Sequence, residues 1–179
     1  MNVLSLFSGI GGLDLAVKDV WPDARAVCYV EIEKYCQQIL LRRMEDGSIE
    51  QAPIFTDIFN LRGYGFAEGS IDLIVGGFPC QPFSVAGKRK GEADERHLWP
   101  EIVRLARELG CPTLILENVP GLLSIDDGRA FGRILGDLAT LGYCVKWGVV
   151  GAYEAGAPHR RDRVFILADT NSTEPRSDE

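Results

Sequence analysis

Residues 71–84 read IDLIVGGFPCQPFS, and this stretch decides the fold that the sequence predicts. An apolar run, residues 71–75, ends in two glycines, and Cys80 follows between Pro79 and Pro82. Prolines restrict the backbone to extended or turn conformations, so the pattern predicts a buried strand that delivers a thiol to the edge of a sheet. Open α/β sheets bind their substrates at the C-terminal ends of strands. Cys80 is therefore a candidate nucleophile, and a small buried hydrophobe is the alternative that its position leaves open.

The composition is that of a single globular domain. A chain of 179 residues with 46% hydrophobic residues can bury a sizeable core. No run of about 18 apolar residues occurs, and the N-terminus lacks the basic region of a signal peptide. Five cysteines without a CxxC pair, together with two histidines, predict free thiols in a reducing compartment and no metal site. We therefore expect a soluble cytoplasmic protein without a membrane segment.

Charge gives no simple indication of a nucleic-acid partner. The net charge is −7, whereas phosphate contacts usually come from a basic face. Basic residues are nevertheless clustered in residues 88–90 (KRK) and 160–163 (RRDR). Solvated loops explain both clusters equally well when composition alone is considered.

The N-terminal segment has the pattern of a nucleotide-binding βαβ unit. Residues 3–12, VLSLFSGIGG, predict a short strand and a glycine-rich turn, and apolar residues at helical spacing follow until Pro22. The turn lacks a complete GxGxxG pattern, so an ordinary tight turn is the alternative. Glu31 stands at the end of the second predicted strand (residues 26–30), 20 residues after Gly11, where a carboxylate can bind ribose hydroxyls. Alternatively, it is an exposed residue that opens the next helix.

Two further carboxylates follow predicted strands. Asp57 comes after the third strand (residues 53–55) and can accept a hydrogen bond from an adenine amino group, or simply cap a turn. Glu117 comes after the fifth strand (residues 113–116), and it shares a sheet edge with Cys80 if the two strands are parallel neighbours. Partial desolvation raises the pKa of such a carboxyl and makes it a proton donor, whereas a surface or capping carboxylate is the alternative.

The C-terminal part of the chain predicts a hairpin and a polar tail. Residues 143–150 and 164–167 are apolar strands joined by a loop that contains the arginine cluster, and they predict an antiparallel edge of the sheet. Arginines just before a buried strand can face the same rim as the cysteine and the carboxylates. Residues 169–179 are almost free of apolar side chains and predict a disordered tail or a connection, which leaves 1–168 as the folded domain.

A fixed cysteine, a nearby carboxylic acid, arginines and a nucleoside cofactor suit conjugate addition to a pyrimidine. The C6 atom of cytosine is a soft electrophile that a thiolate can attack when the ring is made electron-poor. A glutamic acid that hydrogen-bonds N3 and an arginine that holds O2 would do so. The addition makes C5 nucleophilic, so that C5 can take a methyl group from a sulfonium donor, lose its proton and release the thiol.

In these combined features the chain resembles the DNA (cytosine-5) methyltransferases, which use S-adenosylmethionine. The resemblance is carried by residues 4–12 (LSLFSGIGG), Glu31, 78–84 (FPCQPFS), 117–119 (ENV) and 160–163 (RRDR), in the family's order. It implies an α/β fold of the Rossmann-like S-adenosylmethionine-dependent methyltransferase type, a mostly parallel seven-stranded sheet with an antiparallel edge hairpin. It also implies methyl transfer to C5 of cytosine in DNA, by a protein of bacterial or phage type.

The resemblance also assigns roles to individual residues. It places cofactor contacts at Phe7, Gly9, Gly11, Glu31, Ile32, Asp57, Ile58, Pro79 and Leu98. It makes Cys80 the nucleophile and Glu117 the group that binds the base edge, while one of Arg161 and Arg163 holds the cytosine and the other braces the loop. It adds substrate contacts at Gln81, Ser84 and Asn118, and it implies no metal.

Two departures from the family pattern matter. His159 stands where family members usually have glutamine, a change that we expect to be tolerated. Family members also continue into a target-recognition region and a closing segment. We therefore expect residues 1–168 to be a truncated catalytic domain or one chain of a split enzyme, with little DNA methylation alone. The expected partners are double-stranded DNA with a flipped-out cytosine and a second chain that carries the target-recognition region.

Other functions fit part of the same pattern. A tRNA cytosine-5 methyltransferase shares these motifs, and an inactive remnant or cofactor-binding subunit would keep the sequence without the activity. A zinc nucleobase deaminase also combines a proline–cysteine turn with a glutamate. It needs PCxxC and HxE, however, and neither occurs in this sequence.

Overall fold

The computed structural model describes residues 1–79 and 98–170. Within these residues a seven-stranded sheet has the order β3-β2-β1-β4-β5-β7-β6. Its strands are β1 (Asn2–Leu6), β2 (Arg25–Val30), β3 (Ile54–Phe55), β4 (Leu73–Gly77), β5 (Thr113–Asn118), β6 (Cys144–Gly151) and β7 (Asp162–Asp169). The α-helices are α1 (Gly12–Val20), α2 (Lys34–Glu45), α3 (Leu98–Leu109) and α4 (Arg129–Thr140).

The strand order confirms the predicted Rossmann-like fold. Strands β1 to β5 pair in parallel, and β7 runs antiparallel between β5 and β6. The chain leaves β1 toward β2 on one side and returns through β4 on the other, so the strand order reverses between β1 and β4. Open α/β sheets bind ligands at the C-terminal ends of strands at such a switch point.

Helices cover both faces of the sheet because side chains along a buried strand alternate between its faces. In β1 and β4, Val3 and Val75 pack on the side of α1 with Val17, whereas Leu4 and Ile74 join the large core cluster under α3 and α4. Helix α2 covers a third cluster around β2, and Leu15 of α1 packs against the same cluster. None of the helices in the described residues is long and apolar enough to cross a membrane.

Gly76 and Gly77 belong to β4, whereas the sequence predicted a strand that spans residues 71–75 and ends before them. The strand continues because Gly76 pairs with Leu6 of β1 and Gly77 pairs with Glu117 of β5. A Cβ atom on Gly76 would lie 2.8 Å from the carbonyl oxygen of Leu6. Glycine is required there because the backbones of β1 and β4 approach so closely.

Candidate active site

The turn between β1 and α1 has an unusual backbone. Gly9 and Gly11 adopt φ values of +54° and +81°, in the left-handed region that glycine occupies readily. Phe7 also has a positive φ, 51°, which costs a residue with a side chain about 1–2 kcal/mol. Such strain clusters at ligand sites, and here it turns the chain sharply at the C-terminal end of β1.

Glu31 is tied to this turn from the end of β2. Its side chain is only 7% exposed. One carboxylate oxygen accepts a hydrogen bond from the Gly9 amide at 2.6 Å, and the other accepts one from the Glu33 amide at 2.8 Å. Glu31 therefore orders the glycine turn, and its oxygens retain lone pairs for a further donor such as a ribose hydroxyl.

A cavity of about 450 Å³ opens at the C-terminal ends of β1, β2 and β4. It is lined by Phe7, Val30, Glu31, Ile32, Glu33, Cys36, Thr56, Asp57, Ile58, Phe59, Gly77, Pro79 and Leu98. The structure thus brings together all the predicted cofactor contacts except Gly9 and Gly11, which form the turn behind Glu31 and are not among the lining residues. Asp57 caps its own turn, because its carboxylate accepts hydrogen bonds from the Phe59 amide and the Asn60 side chain.

The cavity has the properties of a nucleoside site. Its volume lies within the usual range of small-ligand pockets, about 300–1,000 Å³, and its walls are mostly apolar with a few carboxylates. Apolar side chains suit a purine ring, and carboxylates suit hydroxyl and amino donors, so these residues fit S-adenosylmethionine. The described residues contain no group of three or more His, Cys, Asp or Glu that could hold a metal ion.

A carboxylate–guanidinium pair stands beside this cavity. Glu117, the penultimate residue of β5, receives Arg163 Nε on one carboxylate oxygen at 2.6 Å. Both side chains remain partly exposed, at 25% and 21%. Gly77 of β4 has no side chain and so leaves room for this carboxylate, because a Cβ atom at that position would lie 2.8 Å from Glu117 Oε2. Gly77 also lines the cavity, so the pair and the cavity are adjacent.

The two arginines predicted for substrate differ in their surroundings. Arg163 lies at the start of β7 and, besides Glu117, donates a hydrogen bond to the Asp162 carbonyl at 2.8 Å. Arg161 is exposed, has a φ of +35°, and contacts no partner among the residues that the structure describes. Arg163 is therefore the arginine that lies beside the candidate acid.

Asn118 lies beneath the site. Its side chain is 2% exposed, and its amide donates to the Phe78 carbonyl at 2.9 Å while accepting from the Val119 amide at 2.8 Å. The parallel ladder between β4 and β5 ends at Gly77. The Asn118 side chain adds one further hydrogen bond, from β5 to the residue that follows β4. It holds the backbone two residues before Cys80, and its predicted contact with substrate stays a prediction.

Three of the predicted residues, Cys80, Gln81 and Ser84, lie outside the described residues. Pro79, which directly precedes Cys80 in the sequence, lines the cavity.

Replacement of Asn118 by aspartate is expected to lower the free energy of unfolding by about 3 kcal/mol near neutral pH. A carboxylate cannot donate to the Phe78 carbonyl, and burial of an unpaired charge adds to the loss. Urea unfolding measures the effect, with Gln38→Glu on the exposed face of α2 as the control for the same change of charge. Equal losses in the two variants would contradict the role of the buried amide.

Several residues of the site were missed by the sequence analysis. Glu33, Cys36, Thr56 and Phe59 line the cavity but belong to no recognisable motif. Burial, together with Glu31 and Glu33, raises the pKa of Cys36, so this thiol stays neutral. Position within three residues of the end of a predicted strand was the signal that could have found Glu33, after the second strand, and Thr56, after the third.

Comparison with solved structures supports the class that fold and site define. The chain is similar to S. pombe Dnmt2 methyltransferase, with a TM-score of 0.80 and 25% identity over 98% of this chain and 52% of that one. It also shares its fold with a mutant of DNMT2 from Spodoptera frugiperda, with a TM-score of 0.81 and 22% identity over 99% of this chain and 53% of that one. The class is that of the Rossmann-like methyltransferases, whose cofactor is S-adenosylmethionine.

The family follows from sequence comparison. The family described as C-5 cytosine-specific DNA methylase matches residues 1–178, and the chain belongs to it. It is 37% identical over 169 residues to the Type II methyltransferase M.NgoMIV of Neisseria gonorrhoeae, covering 94% of this chain and 51% of that protein. It is 34% identical over 168 residues to M.BsuFI of Bacillus subtilis, covering 93% of this chain and 39% of that protein. The chain thus spans about half the length, or less, of these relatives.

Proposed function

We propose that the protein methylates C5 of cytosine in DNA through a covalent bond between Cys80 and C6 of the base. The observation that supports this most directly is the Glu117–Arg163 pair beside the cavity. The pair offers an acid and a guanidinium at the edge where β4 and β5 end, and Cys80 directly follows Pro79 in the sequence. S-adenosylmethionine, when bound, supplies the methyl group.

Each residue has a task that its chemistry permits. The Cys80 thiolate adds to C6, and the electron pair of the C5–C6 bond becomes available at C5. Protonated Glu117 donates a hydrogen bond to N3, and Arg163 binds O2, so the ring can accept the added charge. We assign the base-binding role to Arg163 because it lies beside Glu117. No contact among the described residues supports the bracing role predicted for Arg161. C5 takes the methyl group that the cofactor would supply, and a water molecule then accepts the C5 proton. The electron pair of the C5–H bond re-forms the C5–C6 double bond, and the bond between Cys80 and C6 breaks to release the thiolate.

Recognition of the target sequence is proposed to need a region that residues 1–168 do not supply. The curated relatives are about twice as long, and the net charge of −7 does not suit a DNA-facing surface. We propose that double-stranded DNA with a flipped-out cytosine is the substrate and that a target-recognition region, which a second chain can carry, selects the target sequence. Base flipping is required because C6 of a stacked cytosine cannot be reached inside the duplex.

The proposal predicts a covalent adduct with DNA that contains 5-fluorocytosine, formed in the presence of labelled S-adenosylmethionine. Fluorine at C5 cannot leave as the proton does, so the thiol stays attached to the base. Denaturing gel electrophoresis should show the adduct for the wild type and for Cys144→Ala, an exposed cysteine on β6, but not for Cys80→Ala.

The same assay separates the alternatives. It is run with and without the product of a neighbouring gene as a candidate second chain, and with 5-fluorocytosine tRNA in place of DNA. An adduct with tRNA alone would favour the tRNA methyltransferase. Absence of any adduct under all conditions would contradict the proposed activity and leave a cofactor-binding subunit or an inactive remnant.

A further inference from the structure

We propose that Arg104 is a positioning residue that sets the adenine side of the cofactor cavity and thereby the affinity for S-adenosylmethionine. The inference rests on the proposed placement of the cofactor, in which Asp57 and Ile58 contact the adenine. Arg104 does not line the cavity itself and would act through the segment that does.

Arg104 joins helix α3 to the segment that carries the cavity wall. Its Nη2 atom donates to the carbonyl of Leu61 at 2.8 Å and to that of Ile58 at 3.2 Å. The guanidinium is oriented by its own helix, because its Nε atom donates to Glu101 at 2.7 Å and its Nη1 atom donates to Glu108 at 2.9 Å. A planar guanidinium with several fixed donors can satisfy all four partners at once, and a lysine ammonium cannot do so in the same geometry.

A second contact holds the same segment on α3. The Gly63 amide donates to Glu108 Oε2 at 2.6 Å, and a Cβ atom on Gly63 would lie 2.5 Å from Glu108 Cβ. The backbone of residues 58–63 therefore lies directly on the helix. Ile58 and Leu61 are both 4% exposed and pack into the core cluster beside α3.

Helix α3 lines the cavity with one residue and, through Arg104, holds a second residue that lines it. Its first residue, Leu98, lines the cavity, and so does Ile58, whose carbonyl Arg104 holds. Arg104 therefore controls how Ile58 lies relative to Leu98, and hence the space left for an adenine ring. A surface ion pair alone contributes about 0–1 kcal/mol. Arg104 instead acts by fixing the positions of two carbonyl groups before the ligand binds.

Loss of the hydrogen bonds from Arg104 should weaken ligand binding, because the cavity wall is then less preorganised. When only a fraction of the molecules has the binding-competent wall, the apparent dissociation constant rises by the inverse of that fraction. We expect Arg104→Met, which keeps the apolar stem and removes every hydrogen bond, to raise the dissociation constant for S-adenosylmethionine about tenfold. Arg104→Lys should fall between this variant and the wild type.

Calorimetric titration tests the proposal with two ligands, S-adenosylmethionine and 5′-methylthioadenosine, which share the adenosine but differ in the methionine part. All titrations are done well below the melting temperature of each variant. Arg107→Met, at an exposed position of the same helix, is the matched control and should bind both ligands as the wild type does. For Arg104→Met both dissociation constants should rise by the same factor, because both ligands present the adenine to the same wall.

The outcomes are distinct. A lower melting temperature with unchanged dissociation constants would make Arg104 a merely structural contact and overturn the proposal. Weaker binding of S-adenosylmethionine but not of 5′-methylthioadenosine would also overturn it, because the affected side would then be the methionine side. Failure of the wild type to bind either ligand would refute the cofactor placement itself, and the role of Arg104 with it.

Discussion

Gly77→Ala is expected to leave the protein folded and to slow adduct formation about a hundredfold. The added Cβ would lie 2.8 Å from Glu117 Oε2, the far end of a flexible side chain, so the carboxylate moves and the sheet does not. A displacement of about 1 Å in a catalytic group can cost about a hundredfold in rate. Single-turnover formation of the 5-fluorocytosine adduct, under the condition in which the wild type forms it, measures the loss.

The neighbouring glycine provides a matched control with the opposite expectation. A Cβ on Gly76 would also lie at 2.8 Å from its nearest atom, but that atom is the backbone carbonyl oxygen of Leu6 in the adjacent strand. Gly76→Ala must therefore spread β1 from β4 and should lower the free energy of unfolding by about 2–3 kcal/mol. Equal destabilisation by the two substitutions, with no difference in rate, would contradict the view that Gly77 makes room for Glu117.

Much of the fold follows from local patterns in the sequence. Apolar runs that end in glycine or a carboxylate predicted the parallel strands, because a strand covered on both faces needs few polar side chains. The end of β4 was misplaced, since glycines usually terminate a strand pattern, and here Gly76 and Gly77 are inside the ladder. Their reason for being glycine is the proximity of Leu6 and Glu117, which no local pattern contains.

The supporting residues of the site were harder to predict for the same reason. The carbonyls that Arg104 binds lie 43 and 46 residues away in the sequence, and the carbonyl that Asn118 binds lies 40 residues away. In α1, the apolar residues Ala16 and Val20 are exposed, whereas the polar Asp14 is buried. A helical pattern assigns apolar residues to the buried face, so it cannot predict the burial of a carboxyl that accepts a hydrogen bond from a neighbouring strand.

Asp14 links helix α1 to the glycine turn through a chain of hydroxyls. Its Oδ2 atom accepts from the Ser5 hydroxyl at 3.0 Å, and Ser5 contacts the Ser8 hydroxyl at 2.9 Å, which in turn accepts from the Val30 amide at 3.2 Å. Oδ1 has no hydrogen-bond partner among the described residues. Burial raises the pKa of Asp14 to about 6, although the hydrogen bond from Ser5 opposes the shift.

Asp14→Asn is therefore expected to change how stability depends on pH. A folded-state pKa raised from 3.8 to about 6 means that the contribution of Asp14 is fully present below pH 3.8 and is lost as the pH rises through 6. An asparagine does not titrate, so the stability of the variant relative to the wild type should rise by about 2 kcal/mol between pH 4 and pH 7, whatever constant offset the amide introduces. Urea unfolding across this range measures the difference, with Asp19→Asn, at an exposed position of the same helix, as the control for the same change of side chain. Parallel pH profiles for Asp14→Asn and the wild type would mean that the pKa of Asp14 is not raised in the folded protein, and would contradict this prediction.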